Sequence, residues 1–302
     1  MNASILHIEG ALTAGTNASA ELLDVTGLTT SFPTASGRTR VVKDVTFGVG
    51  RGNITGIVGE SGSGKSISVK SVLGLVRAPG RVEAGRALFQ SSGSGEIDLL
   101  AATPRERRAV LGTDIGFVIQ NPFGALNPVV PIRKQFRTVL KASLNFSGTS
   151  TSKLDTIAHE ALAQVGINDP ARVLDGYPHQ LSGGMAQRVV IAFALARRPK
   201  LVIADEPTTA LDLTVQRQIL DLMAARAAEL HASVLLITHD LGVVAHYCRD
   251  AFVFYKGSVV EYGTVEDLFY RTKHPYTKQL IAASGGRAEG GTAEEEKTAW
   301  LS

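Results

Sequence analysis

From Gly59 to Ser66 the chain reads Gly-Glu-Ser-Gly-Ser-Gly-Lys-Ser. These residue types at this spacing suit one task, holding a chain of phosphates. The glycines let the backbone curl until its N–H groups can face an anion. Lys65 brings a positive charge to the β- and γ-phosphates, and the Ser66 hydroxyl is a hard oxygen ligand for Mg2+. The apolar run Ile54–Val58 precedes the loop, and a helical pattern follows from Ile67. A helix N-terminus there adds its dipole to the same anion site. A Gly/Ser-rich surface turn is the bland alternative, and the strand–loop–helix order argues against it. Gly59, Glu60, Ser61, Gly62, Ser63, Gly64, Lys65 and Ser66 are therefore assigned to nucleotide binding.

A second group of candidates sits at the ends of apolar runs. Leu201-Val202-Ile203-Ala204 leads into Asp205-Glu206-Pro207. Neighbouring residues on an extended strand point different ways. Asp205 can thus serve Mg2+, through water, while Glu206 polarises an attacking water. His239 follows Leu235-Leu236-Ile237-Thr238 and is suited to sensing the γ-phosphate. Gln120 follows Ile115–Ile119 and is suited to contacting Mg2+ or water. A lone His or Gln carries little signal, but ligands in open α/β sheets gather at the carboxyl ends of strands. The expected catalytic set is Glu206, His239, Gln120 and Lys65, and the expected Mg2+ ligands are Ser66, Gln120 and Asp205. Finally, Leu181-Ser182-Gly183-Gly184-Met185-Ala186-Gln187-Arg188 places a hydroxyl and two glycines at a helix start. Ser182 there reads as a helix cap, as a phosphate contact, or as both.

These residues need a scaffold. Short β-branched runs alternate with longer amphipathic stretches, the pattern of an α/β fold. Ile54–Val58, Ile115–Ile119, Leu201–Ala204 and Val234–Thr238 are near-continuous apolar runs, suited to parallel strands buried on both faces. Residues 21–50 and 81–100 read as an antiparallel layer, and 127–187 as an inserted helical subdomain. Residues 1–20 read as a loose arm and 285–302 as a fraying tail. The 302 residues carry 31 Lys and Arg against 28 Asp and Glu, with no basic stripe, so nucleic acid is not an expected partner. The single cysteine, Cys248, excludes a disulfide framework within the chain. No window approaches the roughly 20 apolar residues that cross a bilayer, and no basic secretory leader opens the chain.

In their order along residues 21–280, these motifs resemble the ATP-binding cassette (ABC) ATPases. The resemblance implies a P-loop NTPase (RecA-like) α/β core with an antiparallel β subdomain and an inserted helical subdomain. It identifies Gly59–Ser66 with Walker A, Gln120 with the Q-loop and Leu181–Gln187 with the signature. Asp205 and Glu206 correspond to the Walker B aspartate and catalytic glutamate, Ala210-Leu211-Asp212 to the D-loop, and His239 to the switch histidine. It also implies ATP and Mg2+ as cofactors and a head-to-tail dimer in which Ser182, Gly183 and Gly184 meet the ATP of the partner subunit.

Gln120–Pro128, Tyr177-Pro178-His179-Gln180, Ala204–Asp212 and His274-Pro275-Tyr276-Thr277 look like the ATPases of bacterial oligopeptide, dipeptide and nickel importers. That branch implies a second ATPase, identical or paralogous, two transmembrane permease subunits and an extracytoplasmic substrate-binding protein. It implies a peripheral position on the cytoplasmic face of the cell membrane. Di- or oligopeptides are the expected cargo, with nickel or another small solute, or a soluble non-transport ATPase, as alternatives. The chain departs from the family twice. No aromatic residue stands at Thr39 to stack on adenine, although Phe32 lies nearby, which leaves Arg38, Arg40 or Val42. The cysteine-rich tail of some relatives is absent, so no iron–sulfur cluster is expected.

Overall fold

A computed structural model describes residues 21–284 except Ser36, Ser94 and Ala210. The arm at 1–20 and the tail at 285–302 lie outside the described residues. The chain divides into two compact units, one of residues 1–102 with 235–302, the other of residues 103–234. The first unit opens with β1 (Glu21–Thr34), β2 (Gly37–Gly50) and β3 (Ile54–Val58), then α1 (Lys65–Val72), β4 (Arg81–Ser91) and β5 (Gly95–Asp98). β2, β1, β4 and β5 form an antiparallel sheet in that order, the layer expected from residues 21–50 and 81–100. In β2, Val45, Phe47 and Val49 are buried at a period of two, and register sets Phe47 opposite Val25. β3 shows no such alternation. Thr55 to Val58 are all buried, as a strand covered on both faces requires.

The second unit contains α2 (Pro104–Thr113), β6 (Ile115–Val118), α3 (Pro122–Ala125), α4 (Ile132–Lys141), α5 (Thr151–Gln164), α6 (Pro170–Asp175), α7 (Gly183–Leu195), β7 (Leu201–Asp205) and α8 (Leu213–Glu229). β6 and β7 pair in parallel, Ile115 opposite Leu201. Between residues 127 and 187 the described residues form helices and turns without a strand. α5 starts where the Ser150 side chain accepts from Lys153 N–H, and buries Leu154, Ala158, Ala161 and Leu162 on one face. Phe136 of α4, fully buried, meets Phe193 of α7 edge-on at 4.5 Å. Burying such a ring contributes about 1.5–3 kcal/mol, against roughly 0–1 kcal/mol for a surface ion pair. Apolar packing therefore dominates the cohesion of these helices.

One ion pair among them has a pH signature. Arg137 grips Asp155 with two bonds, of 2.6 and 2.5 Å, and Arg133 reaches Asp175 at 2.7 Å and Asp155 at 3.6 Å. The Arg137 hydrogen bond holds the Asp155 carboxyl below its usual range. A lowered folded value means that this contribution is present above the unfolded carboxylate value, ~4. It is lost as pH falls through the folded value. Below about pH 4 the melting temperature of the wild type should therefore drop more steeply than that of Asp155→Asn. Parallel curves in thermal melts across that range would remove Asp155 from the acid response.

The chain returns to the first unit within β8 (Ser233–Thr238), followed by α9 (Leu241–Tyr247), β9 (Asp250–Tyr255), β10 (Ser258–Thr264), α10 (Val265–Tyr270) and α11 (Pro275–Ala283). β3 runs parallel to β9, with Val58 opposite Val253, and β9 and β10 make an antiparallel hairpin. Val58, Leu241, Val244, Ala251, Val253, Leu268, Phe269, Tyr276 and Ile281 form one buried cluster. It joins the strand before the phosphate loop, the helix after His239 and the last described helix.

Candidate nucleotide site

The first unit carries the phosphate loop and His239. Gly59 has φ 150°, and a Cβ there would lie 2.2 Å from the Phe254 carbonyl oxygen. Glycine is required at that position because the loop lies directly on β9. Gly64 takes φ 102° as the residue before α1, which starts the helix at Lys65, two residues earlier than the pattern from Ile67 predicts. The left-handed backbone at Gly64 makes the turn that a side chain would resist. Ser63 N–H donates to Glu60 O at 3.2 Å, and Gly257 N–H to Ser63 O at 3.0 Å, fixing the loop internally and to the β9–β10 turn.

Lys65 is only 4% exposed. Its Nζ donates to Gly59 O at 2.6 Å and to Glu60 O at 2.8 Å, so the ammonium lies over the loop's own backbone. Ser63 Oγ is buried with no hydrogen-bond partner among the described residues, and a phosphate oxygen is the acceptor that would satisfy it. Glu60, Ser61 and Gly62 are exposed, while Ser66 is half-buried. His239 is exposed directly after β8. Asp240 beside it caps α9, accepting from Gly242 N–H at 2.8 Å and Val243 N–H at 3.3 Å. The cap fixes where the strand end turns into the helix.

The region before the loop holds the residues expected to meet adenine. Arg38 donates to Ser31 Oγ and O and to Pro79 O, and Arg40 Nε reaches Glu83 at 2.9 Å. Arg81 completes the group around Glu83, whose carboxyl is held below its usual range by bonds from Ser31 and then Arg40. Val42 is fully buried. Arg38 is thus tied to β1 and to Pro79, Arg40 is held through its Nε with its side chain 66% exposed, and Val42 is core.

The second unit carries Gln120, Ser182–Gly184, Asp205 and Glu206. Asp205 is the last residue of β7 and is buried. Glu206 is not on the strand: at φ 47° its backbone is left-handed. Non-glycine residues pay roughly 1–3 kcal/mol for such a conformation, and these positions cluster at functional sites. The Glu206 Oε2 accepts from Gln120 Nε2 at 3.0 Å and from Thr209 Oγ1 at 2.9 Å. Gln120 and Glu206, 86 residues apart in sequence, are thereby brought together, and Thr209 is a partner the sequence did not single out. β6 stops at Val118, so Gln120 lies in the segment beyond the strand.

Ser182 caps α7 through Met185 N–H at 3.3 Å, and Ser182 and Gly183 are exposed. The cap is thus present, and it leaves the hydroxyl on an exposed helix start. Gln187, further along the same motif, is buried. In the D-loop, Leu211 N–H donates to Thr208 O and Asp212 caps α8 through Val215 N–H, while Ala210 lies outside the described residues. Among the described residues no helix is long and apolar enough to cross a membrane.

Known proteins with this arrangement are numerous. The ABC transporter family model matches residues 42–209, more than half of the chain. The dipeptide transport ATP-binding protein DppD of Haemophilus influenzae is 43% identical over 269 residues, covering 89% of this chain and 79% of that protein. The oligopeptide transport ATP-binding protein OppD of Bacillus subtilis is 43% identical over 279 residues, 92% of this chain and 75% of that protein. Among solved structures, the dimeric ATP-binding cassette MJ0796 in a post-hydrolysis state with ADP and Pi superposes with a TM-score of 0.69 at 25% identity. That match covers 80% of this chain and 98% of the other. The α/β fold, the phosphate loop and the strand-end carboxylates thus have one explanation: this chain belongs to the ABC transporter family, as a nucleotide-binding ATPase subunit.

Proposed function

We propose that the chain hydrolyses ATP to drive peptide uptake, as the ATPase of a bacterial importer on the cytoplasmic face of the membrane. The observation that carries the hydrolytic part is the Glu206 carboxylate, fixed at the end of β7 by Gln120 and Thr209. A carboxylate held in one orientation acts on water as a positioned base. Lys65 over the loop carbonyls gives the charge that phosphates need, and Ser63 Oγ and the start of α1 give donors. His239 and Gln120 orient the water and sense the γ-phosphate in this reading.

Ser66, Gln120 and Asp205 offer a hydroxyl, an amide oxygen and a carboxylate, the hard donors that suit Mg2+. Ser66 in the first unit, and Gln120 and Asp205 in the second, are each suited to it, Asp205 through water. Mg2+ supplies charge neutralisation on the β- and γ-phosphates when bound. Ser182, Gly183 and Gly184, at the exposed start of α7, would contact ATP held by a second ATPase subunit. Permease subunits and an extracytoplasmic binding protein complete the assembly, and the names of the DppD and OppD relatives support a di- or oligopeptide cargo.

Co-purification from membranes followed by reconstitution tests this. The chain should emerge with two permease subunits and a second ATPase. Its phosphate release should rise when the binding protein is loaded with di- or oligopeptides. Stimulation by nickel but not by peptide would overturn the cargo, and purification without any membrane subunit would overturn the transport role.

A further inference from the structure

The His274-Pro275-Tyr276-Thr277 stretch reaches the phosphate loop from the far end of the first unit. Glu261 on β10 anchors the approach, accepting from Thr272 Oγ1 and Lys273 N–H, both at 2.7 Å. His274 then caps α11, its Nδ1 accepting from Tyr276 N–H at 3.2 Å, and Pro275 occupies the first helical turn, where it lacks no bond. Tyr276 follows, 6% exposed, with its ring stacked on Tyr255 at 4.0 Å. Lys256 Nζ lies 4.9 Å from the centre of the Tyr255 ring. The Tyr276 ring is thus buried against Tyr255, and its hydroxyl reaches the loop. Tyr276 Oη accepts from Glu60 N–H at 3.1 Å across 216 residues of sequence.

The peptide that carries that N–H is the one between Gly59 and Glu60, so its carbonyl is Gly59 O. In a trans peptide the N–H and C=O point in opposite directions within one plane. Tyr276 holds the N–H, and Lys65 Nζ donates to the C=O at 2.6 Å. The phenol and the ammonium therefore clasp one peptide group from its two ends. A rotation of that plane would carry the acceptor away from Lys65. The Gly59 backbone adopts φ 150°, open to glycine and rarely to other residues, so the sequence around it offers little to stop such a rotation. Burial raises the Tyr276 phenol above its ordinary value, which keeps the oxygen neutral and its geometry constant.

We propose that Tyr276 is a positioning residue for the nucleotide site, setting through the Gly59–Glu60 peptide where Lys65 holds its charge. The segment after β10 is on this view part of the phosphate-binding apparatus. The inference rests on the nucleotide reading above for its consequence, and its geometric part can be read without any nucleotide.

Tyr276→Phe keeps the ring and its stack and removes the acceptor. In the full-length protein, amide hydrogen exchange resolved to single residues should show Glu60 N–H protected relative to the exposed Ser61 and Gly62. In Tyr276→Phe that protection should fall selectively, with the melting temperature lowered by no more than about 2–4 °C and exchange in the second unit unchanged. Losing one neutral hydrogen bond corresponds to roughly a two- to tenfold effect, which should appear as a rise in KM for ATP with little change in kcat, the mark of lost binding common to ground and transition states. A wild-type Glu60 amide that exchanges as fast as Ser61 and Gly62 would overturn the proposal, and that measurement stands even if the variant does not fold. A folded Tyr276→Phe with wild-type exchange and wild-type KM would overturn it too. If the wild-type complex does not hydrolyse ATP, the functional reading fails while the exchange data still decide the clasp.

Discussion

Glu206→Gln should bind ATP as the wild type does and release phosphate about 10²- to 10⁴-fold more slowly, the usual range for removing a positioned general base. The substitution is nearly isosteric. Its amide oxygen can accept the same two hydrogen bonds, from Gln120 Nε2 and Thr209 Oγ1, that orient the carboxylate. Backbone strain at φ 47° is carried equally by either side chain. What disappears is the negative charge and the basicity that draw a proton from water. Because binding survives while turnover stops, the ATP-bound dimer should accumulate and elute as a larger species in size-exclusion chromatography with ATP. Equilibrium titration with a fluorescent ATP analogue and a phosphate-release assay separate the two effects. Wild-type phosphate release in this variant would show that another group activates the water and that the left-handed turn serves only the D-loop that follows.

The legibility of this site in the sequence follows the distance over which each part is determined. The phosphate loop is written in eight consecutive residues, because a backbone wrapped round an anion needs glycine, lysine and serine at fixed offsets. Strands β3, β7 and β8 were legible as continuous apolar runs to within a residue or two, since burial on both faces removes alternation. α1 starts two residues before the helical pattern does, because the signal there is a glycine backbone angle and not a side-chain pattern. Parts assembled across the chain were not legible. The pairing of Gln120 with Glu206, the Thr209 hydroxyl on the same oxygen and the Tyr276 clasp depend on tertiary folding that no local spacing encodes. The arginines before the loop illustrate the converse. Position along the chain makes Arg38 and Arg40 candidates for adenine, but their partner within the fold is not legible there. Glu83, more than forty residues on in a neighbouring strand pairing, engages both of them.

Lys65→Ala should fail one step earlier than Glu206→Gln, at binding. Lys65 is buried to within 4%, and its ammonium is held by two carbonyl oxygens of the loop. Burying a charge is tolerated only where it is compensated, and carbonyl dipoles compensate it less fully than the anionic phosphates the loop would hold. The charge is therefore poised to gain from a ligand. Hydrogen bonds to charged groups contribute about 1.5–3 kcal/mol, so removing this one should weaken ATP roughly 10- to 10²-fold. The fold should tolerate the change. Alanine is the best helix former, and it enters at the first residue of α1, where the strand β3 and the glycine turn before it remain intact. The Gly59 carbonyl loses its lysine donor but keeps the opposite end of its peptide on Tyr276. Kd from equilibrium titration should rise with the melting temperature of the free protein nearly constant. A Kd equal to that of the wild type would mean that the loop backbone and the α1 N-terminus hold the phosphates without the ammonium. The two variants thus locate charge and basicity at different steps, since Lys65→Ala lowers occupancy and saturating ATP restores part of its rate, whereas no ATP concentration restores Glu206→Gln.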